Sequence, residues 1–420
     1  MRVGFGCRVL GVRMVAALLA GCSGSVGTTP IPGPSAPPPT RPCTTSSERA
    51  RSGNHGYESL FSFNEFPDGR APAAGLISAN GLLYGTTSIG GKGTSGPCGL
   101  CGTVYSISTS GNQKVLYTFT GGSNGATPSS GLTSLKGVLY GTTFYGAKSG
   151  EVHKCYHAGC GTVFDVTASG AESVLHAFEG GSDGSAPMGE LLALNGTLYG
   201  TTTGEPFGKG TIFSLTTSGH EQVVYRFKGA LSDGAAPMGN LVLVKGEFYG
   251  VTNQGGAANV GTVFALNPSG KEQILHSFHH SEGDYPMDGL VALNGLLYGT
   301  TSAHGPHGRG TVYSITTGGE FHVVYSFGGK GDGALPYASL VVVNGALYGT
   351  THGGGVHRHG TVFKLCPSGS ESVLHSFGPS PDGIRPWAPL TNVNGVLYGT
   401  TAGGGQDQSY GDGTVFRISP

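Results

Sequence analysis

The chain has 420 residues, 79 of them Gly and 24 Pro, and only 11% are charged, against about a quarter in an ordinary soluble domain. Gly and Pro are the poorest helix formers, which excludes a helical protein, while 37% hydrophobic content with 18 Tyr and 19 Phe excludes a disordered one. A net charge of -1 removes the electrostatic basis for binding nucleic acid or adhering to an anionic membrane surface.

The first element is an address. Arg2, Arg8 and Arg13 precede or flank an acid-free apolar stretch from Val9 to Ala20 that ends in small residues, the layout of a secretory signal. That stretch is too short to span a bilayer. Leu19-Ala20-Gly21-Cys22 resembles the lipobox of bacterial lipoproteins, which implies cleavage before Cys22 and lipid attached to it, with residues 1–21 as signal peptide. Ser23 after the cysteine implies, by the same resemblance, the outer membrane where the organism has one. The expected location is therefore the bacterial cell envelope, with the membrane as a partner through the acyl chains. From Cys22 to residue 56 the composition turns to Ser, Thr, Gly and Pro without apolar period, which reads as a disordered, extended tether.

Residues 57–420 are one unit written seven times. Tyr-Gly-Thr-Thr begins at Tyr84, Tyr140, Tyr199, Tyr298, Tyr348 and Tyr398, with Tyr-Gly-Val-Thr at Tyr249, and Gly-Thr plus Val or Ile plus an aromatic begins at Gly102, Gly161, Gly210, Gly261, Gly310, Gly360 and Gly413. In the copy from Gly289 to Phe327, four short strands are predicted: a, 290–293; b, 296–301; c, 310–315; d, 322–327. Asn294-Gly295 between a and b is a type I′ hairpin turn. Four-stranded antiparallel sheets in series predict an all-β, seven-bladed β-propeller. The unit region starts on a lone d-type strand, 58–63, and stops on a c-type strand, 413–418. A closed ring in which the first pairs beside the last leaves no exposed edge. The Gly of Tyr-Gly-Thr-Thr is expected to let an aromatic of the adjacent sheet approach, and the recurring aromatics to fill the space between blades.

The unit "Leu, two or three residues, Asn-Gly, Leu-Tyr-Gly-Thr-Thr, Gly-Gly, Gly-Thr-Val-Phe, Pro-Ser-Gly" resembles the tandem repeat called GloVer, after Gloeobacter and Verrucomicrobia, over about residues 57–420. The resemblance implies an exported domain joined to a surface anchor and supplies no catalytic residue. Val251 and the long loops of the first two blades depart from the pattern.

Candidate functional residues belong to the d-to-a and b-to-c loops, which share one face of such a ring and hold nearly all the variation between copies; loops on a rigid scaffold are where binding resides. Asp-Gly recurs at Asp68, Asp183, Asp233, Asp332 and Asp382, with Asn124 in one copy and Glu282 and Asp284 in another. Carboxylates around one axis suit a polyhydroxylated ligand or a divalent cation such as Ca²⁺, or else each closes its own Asx turn. His176, His276 and His375 recur with the repeat, whereas His304, His307, His352, His357 and His359 crowd the b-to-c loops of blades 5 and 6, and His279 and His280 enter blade 5. No tight ligand spacing such as His-Glu-x-x-His occurs among them, so no metal and no other cofactor is assigned. Outside the lipidated Cys22, an exported location favours disulfides among Cys43, Cys98, Cys101, Cys155, Cys160 and Cys366. Cys98/Cys101 and Cys155/Cys160 sit in two long loops with pairing open, and Cys43 fits Cys366 at a c-to-d turn. No nucleophile elbow, phosphate loop or singular acid pair stands out. The expected function is a surface-anchored binding or scaffolding protein that offers its loop face to a glycan, a peptide or an envelope protein. The alternative is an extracytoplasmic hydrolase or lyase with its site at the channel mouth.

Overall fold

The computed structural model describes residues 43, 56–91, 101–147, 155, 159–204, 208–406 and 411–420. The signal segment, Cys22, the tether other than Cys43 and Gly56, and Cys98 lie outside the described residues.

Seven four-stranded antiparallel sheets follow one another along the chain. In blade 5 they are Val291–Leu293, Leu296–Thr301, Thr311–Ile315 and Phe321–Ser326, in that order across the sheet. Asn294 and Gly295 have φ of 51° and 81°, as a type I′ turn requires. Strand a of most blades lies against strand a of the next, so these strands line the axis. Only two single-turn helical segments, Glu65–Asp68 and Gly122–Asn124, interrupt the strands among the described residues.

The ring closes as expected. Glu58–Ser62 pairs antiparallel with Thr414–Ile418, which continues to Val396–Thr401 and Thr391–Val393. Its register skips a residue between Ser59 and Phe61, and every other c–d pair carries a bulge at the same place, such as Val312/Tyr313 in blade 5. The first strand is thus a true d strand. A disulfide between Cys43 and Cys366 fastens the segment before it to the c-to-d turn of blade 6. Beside that bond, Tyr57 stacks on His375 at 3.7 Å and donates its hydroxyl to Asp382 Oδ1 at 2.5 Å.

Two repeated contacts account for the repeated residues. At each blade interface, the Phe that ends strand d meets the strand-c aromatic of the next blade edge to face. Examples are Phe119–Phe164 at 5.0 Å and Phe278–Tyr313 at 5.1 Å, and Phe63–Tyr105, at 5.1 Å, does the same across the closure. Within each blade, the second Thr of Tyr-Gly-Thr-Thr is hydrogen-bonded to the Thr of Gly-Thr on strand c, as in Thr301–Thr311 at 2.8 Å and Thr351–Thr361 at 2.8 Å, all fully buried.

One expectation is corrected. The Gly of Tyr-Gly-Thr-Thr makes room for an aromatic of its own sheet, not of the adjacent one: Gly85 is the register partner of Tyr105, and a methyl at Gly85 would lie 2.6 Å from Tyr105 Oη. Facing residues on neighbouring strands are closer together than any two residues of packed sheets, so the relief is needed within the blade.

Candidate functional site

The d-to-a and b-to-c loops are bound to one another and form one face. In blade 4, Gly234–Ala235 pairs with Gln254–Gly255, in blade 6 Gly333–Ala334 with Gly353–Gly354, and in blade 7 Gly383–Ile384 with Gly403–Gly404. Single bridges such as Arg70 to Ile89 and Asp284 to Ala303 do the same elsewhere.

The Asp-Gly carboxylates are taken up by their own loops. Asp332 Oδ2 accepts the Gly328 N–H at 2.9 Å and the Tyr325 hydroxyl at 3.0 Å, while Oδ1 accepts the Gly333 N–H at 2.6 Å. Asp233 repeats this with Lys228, Tyr225 and Gly234, and Asp382 with Gly378, His375 and Gly383. Asp183 accepts from Glu179 N–H at 3.0 Å and lies 3.3 Å from His176 Nε2. The repeat histidines and Tyr225 or Tyr325 are therefore interchangeable donors to one loop carboxylate. Burial pushes the Asp382 carboxyl up, but the hydrogen bonds from His375, Tyr57 and Gly378 outweigh it and hold it below the usual range. These four aspartates do not come together around the axis as a group able to hold an ion.

The five loop histidines separate. His307 and His359 hold neighbouring backbone, His307 Nδ1 at 3.0 Å from Ser326 O and His359 Nδ1 at 3.1 Å from Gly378 O. His357 is exposed. His304 meets Asp284 at 2.8 Å, together with His280. His352 belongs to an aromatic cluster with Tyr337, at 4.9 Å, and Trp387, at 5.1 Å, whose own rings are 4.6 Å apart.

His352 and Trp387 of that cluster wall a hollow of about 300 Å³ between blades 6 and 7, lined also by Ile384, Arg385 and Gly403 among others. Trp387, the single Trp of the chain, is 37% exposed there. Burial first, and then the Arg385 guanidinium, push the His352 imidazole down to about 4, so it is neutral at pH 7. The hollow thus offers an aromatic face, a neutral imidazole and one cation. Sequence reasoning reached His352 but not Trp387, Tyr337 or Arg385. The available signal was a lone Trp in a d-to-a loop, at the position after the loop proline where other blades carry Ala, Ser, Met or Tyr.

Closer to the axis, Glu190 precedes strand a of blade 3 and Asp288 precedes strand a of blade 5. Burial and then the Asp288 charge push the Glu190 carboxyl up to about 8. Asp288 itself accepts the Gly289 N–H at 2.7 Å and the Ser339 N–H at 2.8 Å.

Of the paired cysteines, Cys155 is bonded to Cys160 within one loop, and Cys101 is also disulfide-bonded.

The sequence matches the Gloeobacter/Verrucomicrobia repeat over residues 150–344 and 270–420. No curated protein matches it. Among solved structures it is similar to a protein of Bacteroides fragilis described provisionally as a 6-phosphogluconolactonase, at 14% identity and TM-score 0.46, over 76% of this chain and 86% of that one. It is also similar to a puromycin-hydrolyzing peptidase of Mycobacterium tuberculosis, at 10% identity and TM-score 0.37, over 82% of this chain and 60% of that one. A third, described provisionally as a gluconolactonase, has 16% identity and TM-score 0.37 over 61% of this chain and 80% of that one. No residue role is carried over from these three.

Proposed function

We propose, for a chain that belongs to the Gloeobacter/Verrucomicrobia repeat family, the role of a lipid-anchored envelope protein that binds an acidic glycan on its loop face. The observation that carries this reading is the hollow between blades 6 and 7, where the partly exposed Trp387 lies beside Arg385. An aromatic platform presents a flat apolar face to the C–H side of a sugar ring, and a guanidinium is the planar donor suited to a carboxylate. Concave sites with aromatic walls and a few placed polar groups are the usual form of a small-ligand site. The lipid anchor rests on Leu19-Ala20-Gly21-Cys22. Labelled fatty acid should enter the wild type and not the Cys22→Ala variant, and equal labelling would end that part of the reading.

The binding test is calorimetric titration with uronic-acid oligosaccharides and their neutral counterparts. Trp387→Ala should weaken binding by about 2 kcal/mol, roughly 30-fold in Kd, and Arg385→Gln should abolish the preference for the acidic sugar. Absence of binding across both series, or equal binding by Trp387→Ala, would refute the glycan reading.

A second reading, hydrolysis or elimination at the channel mouth, is favoured by Glu190, whose carboxyl, with Asp288 nearby, stays protonated at neutral pH, as a general acid must. Recovery of a shortened glycan after incubation, lost in Glu190→Gln, would favour it over binding.

A further inference from the structure

Blade 5 departs from the repeat at two positions that meet in space. Aligned on the loop proline, the position of Asp284 is held in the other six blades by Arg70, Ala126, Ser185, Ala235, Ala334 and Ile384, and Asp284 is the only acid there. The position of His304, six residues after the Tyr of Tyr-Gly-Thr-Thr, is held in five other blades by Gly90, Gly146, Gly255, Gly354 and Gly404, all at φ between 77° and 92°, whereas His304 stands there at φ 55°. A side chain in this left-handed region is strained relative to Gly. Asp284 is fully buried at 0% exposure, and its Oδ1 has no hydrogen-bond partner. Its Oδ2 lies 2.5 Å from His280 Nδ1 and 2.8 Å from His304 Nδ1, and the two imidazoles are 66% and 56% exposed.

The backbone preorganises the group. The Asp284 N–H donates to Ala303 O at 2.8 Å, the Gly305 N–H to His280 O at 2.9 Å, and the Gly310 N–H to His304 O at 2.9 Å. Three ligand atoms from two loops thus lie within 4.8 Å of one another. Their floor is a buried carboxylate and their mouth is open to solvent.

We propose that His280, Asp284 and His304 form a binding site for a borderline divalent transition-metal ion of the Zn²⁺ class. Two imidazoles and one carboxylate favour such an ion over Ca²⁺ or Mg²⁺, which prefer oxygen-only shells. At about 2.0–2.2 Å from each ligand atom, the ion needs the exposed imidazoles to swing outward by less than about 1 Å from their present hydrogen-bond distances, and it takes the place of the two imidazole contacts to the buried Asp284 Oδ2. Three protein ligands leave a coordination position facing the loop-face solvent, where a carbonyl, hydroxyl or carboxylate of a ligand can enter. The site is independent of the hollow between blades 6 and 7.

The test uses the full, untagged chain stripped with chelator and titrated with Zn²⁺ and Co²⁺ at pH 7.5, read by calorimetry and by Co²⁺ absorption. The decisive variant is Asp284→Ala with His304→Gly, because both changes install residues that the other blades carry, so the fold is kept and its melting temperature in chelator stays equal or rises. The wild type should bind one equivalent of Co²⁺ with the absorption of a low-coordinate N/O site, displaced by Zn²⁺, and the double variant should lose this binding. Failure of the stripped wild type to bind one equivalent, or retention of the same spectrum by the double variant, overturns the proposal.

Discussion

At the scale of the residue, the repeated words are explained by contacts that need those atoms. The Thr of Gly-Thr sits fully buried on strand c, and its hydroxyl is matched by the second Thr of Tyr-Gly-Thr-Thr, 2.8 Å away in Thr87–Thr103 and again in Thr401–Thr414. A buried hydroxyl without such a match is costly. Tyr105 and Tyr313 illustrate the cost, since they stand where other blades have Phe164, Phe213, Phe264, Phe363 and Phe416, and their buried hydroxyls have no partner. Tyr313→Phe should therefore raise stability by about 1 kcal/mol, measured as a higher denaturant midpoint at unchanged slope. Gly85→Ala should act in the opposite sense, by about 1–3 kcal/mol, because the added methyl would lie 2.6 Å from Tyr105 Oη and 2.7 Å from Cζ. An unchanged midpoint in Gly85→Ala would show that the strand yields and that the close approach is not what requires Gly.

At the scale of the element, the strand Glu58–Ser62 is, among the described strands, the one whose partner, Thr414–Ile418, is more than 350 residues away along the chain. Its exposed ion pair Glu58–Arg417, at 2.6 Å, adds little in water. The edge-to-face pair Phe63–Tyr105 and the Cys43–Cys366 bond hold the join more firmly. A disulfide that closes a 323-residue separation removes a large share of the unfolded chain's freedom. Replacing both Cys43 and Cys366 by Ser should cost about 2–4 kcal/mol and lower the Tm, and reduction should lower the Tm of the wild type more than that of the double variant. Closure was legible in the sequence because a lone d strand at one end and a c strand at the other complete each other. The Cys43–Cys366 pairing was legible only as a fit, since cysteine spacing carries no connectivity.

At the scale of the whole molecule, the ring walls in carboxyl groups and makes stability depend on pH. Burial, with Asp288 beside it, pushes Glu190 up to about 8, and burial, with Asp332 beside it, does the same to Glu371. Burial and Asp233 push Glu272 up to about 7. Between the ordinary value of 4.5 and about 8 the native chain holds protons that the unfolded chain has released, so stability falls as pH rises through that window and levels off above it. The depressed His352 acts the other way, but only between about 4 and 6.5. From pH 6.5 to 9 the wild-type Tm should therefore fall, and Glu190→Gln, which carries no proton to lose, should fall less. An identical decline in both would remove Glu190 from the account.

The sequence by itself determined the four strands of each blade, the seven units, the closure and the face that varies, because each depends on local pattern repeated along the chain. Tyr-Gly-Thr-Thr and Asn-Gly need no distant partner to be read. It also pointed to His304 and His352, through the crowding of histidines in two loops. Tertiary structure alone decided what those histidines touch: Asp284 and His280 for one, Tyr337 and Trp387 for the other. It likewise turned the Asp-Gly carboxylates inward onto their own loops and drew the aromatic over each strand-b Gly from the same sheet. The Tyr337–Trp387 contact depends on the packing of one blade against the next, and the others depend on which strands and loops fold back beside each other within a blade, which no spacing along the chain states.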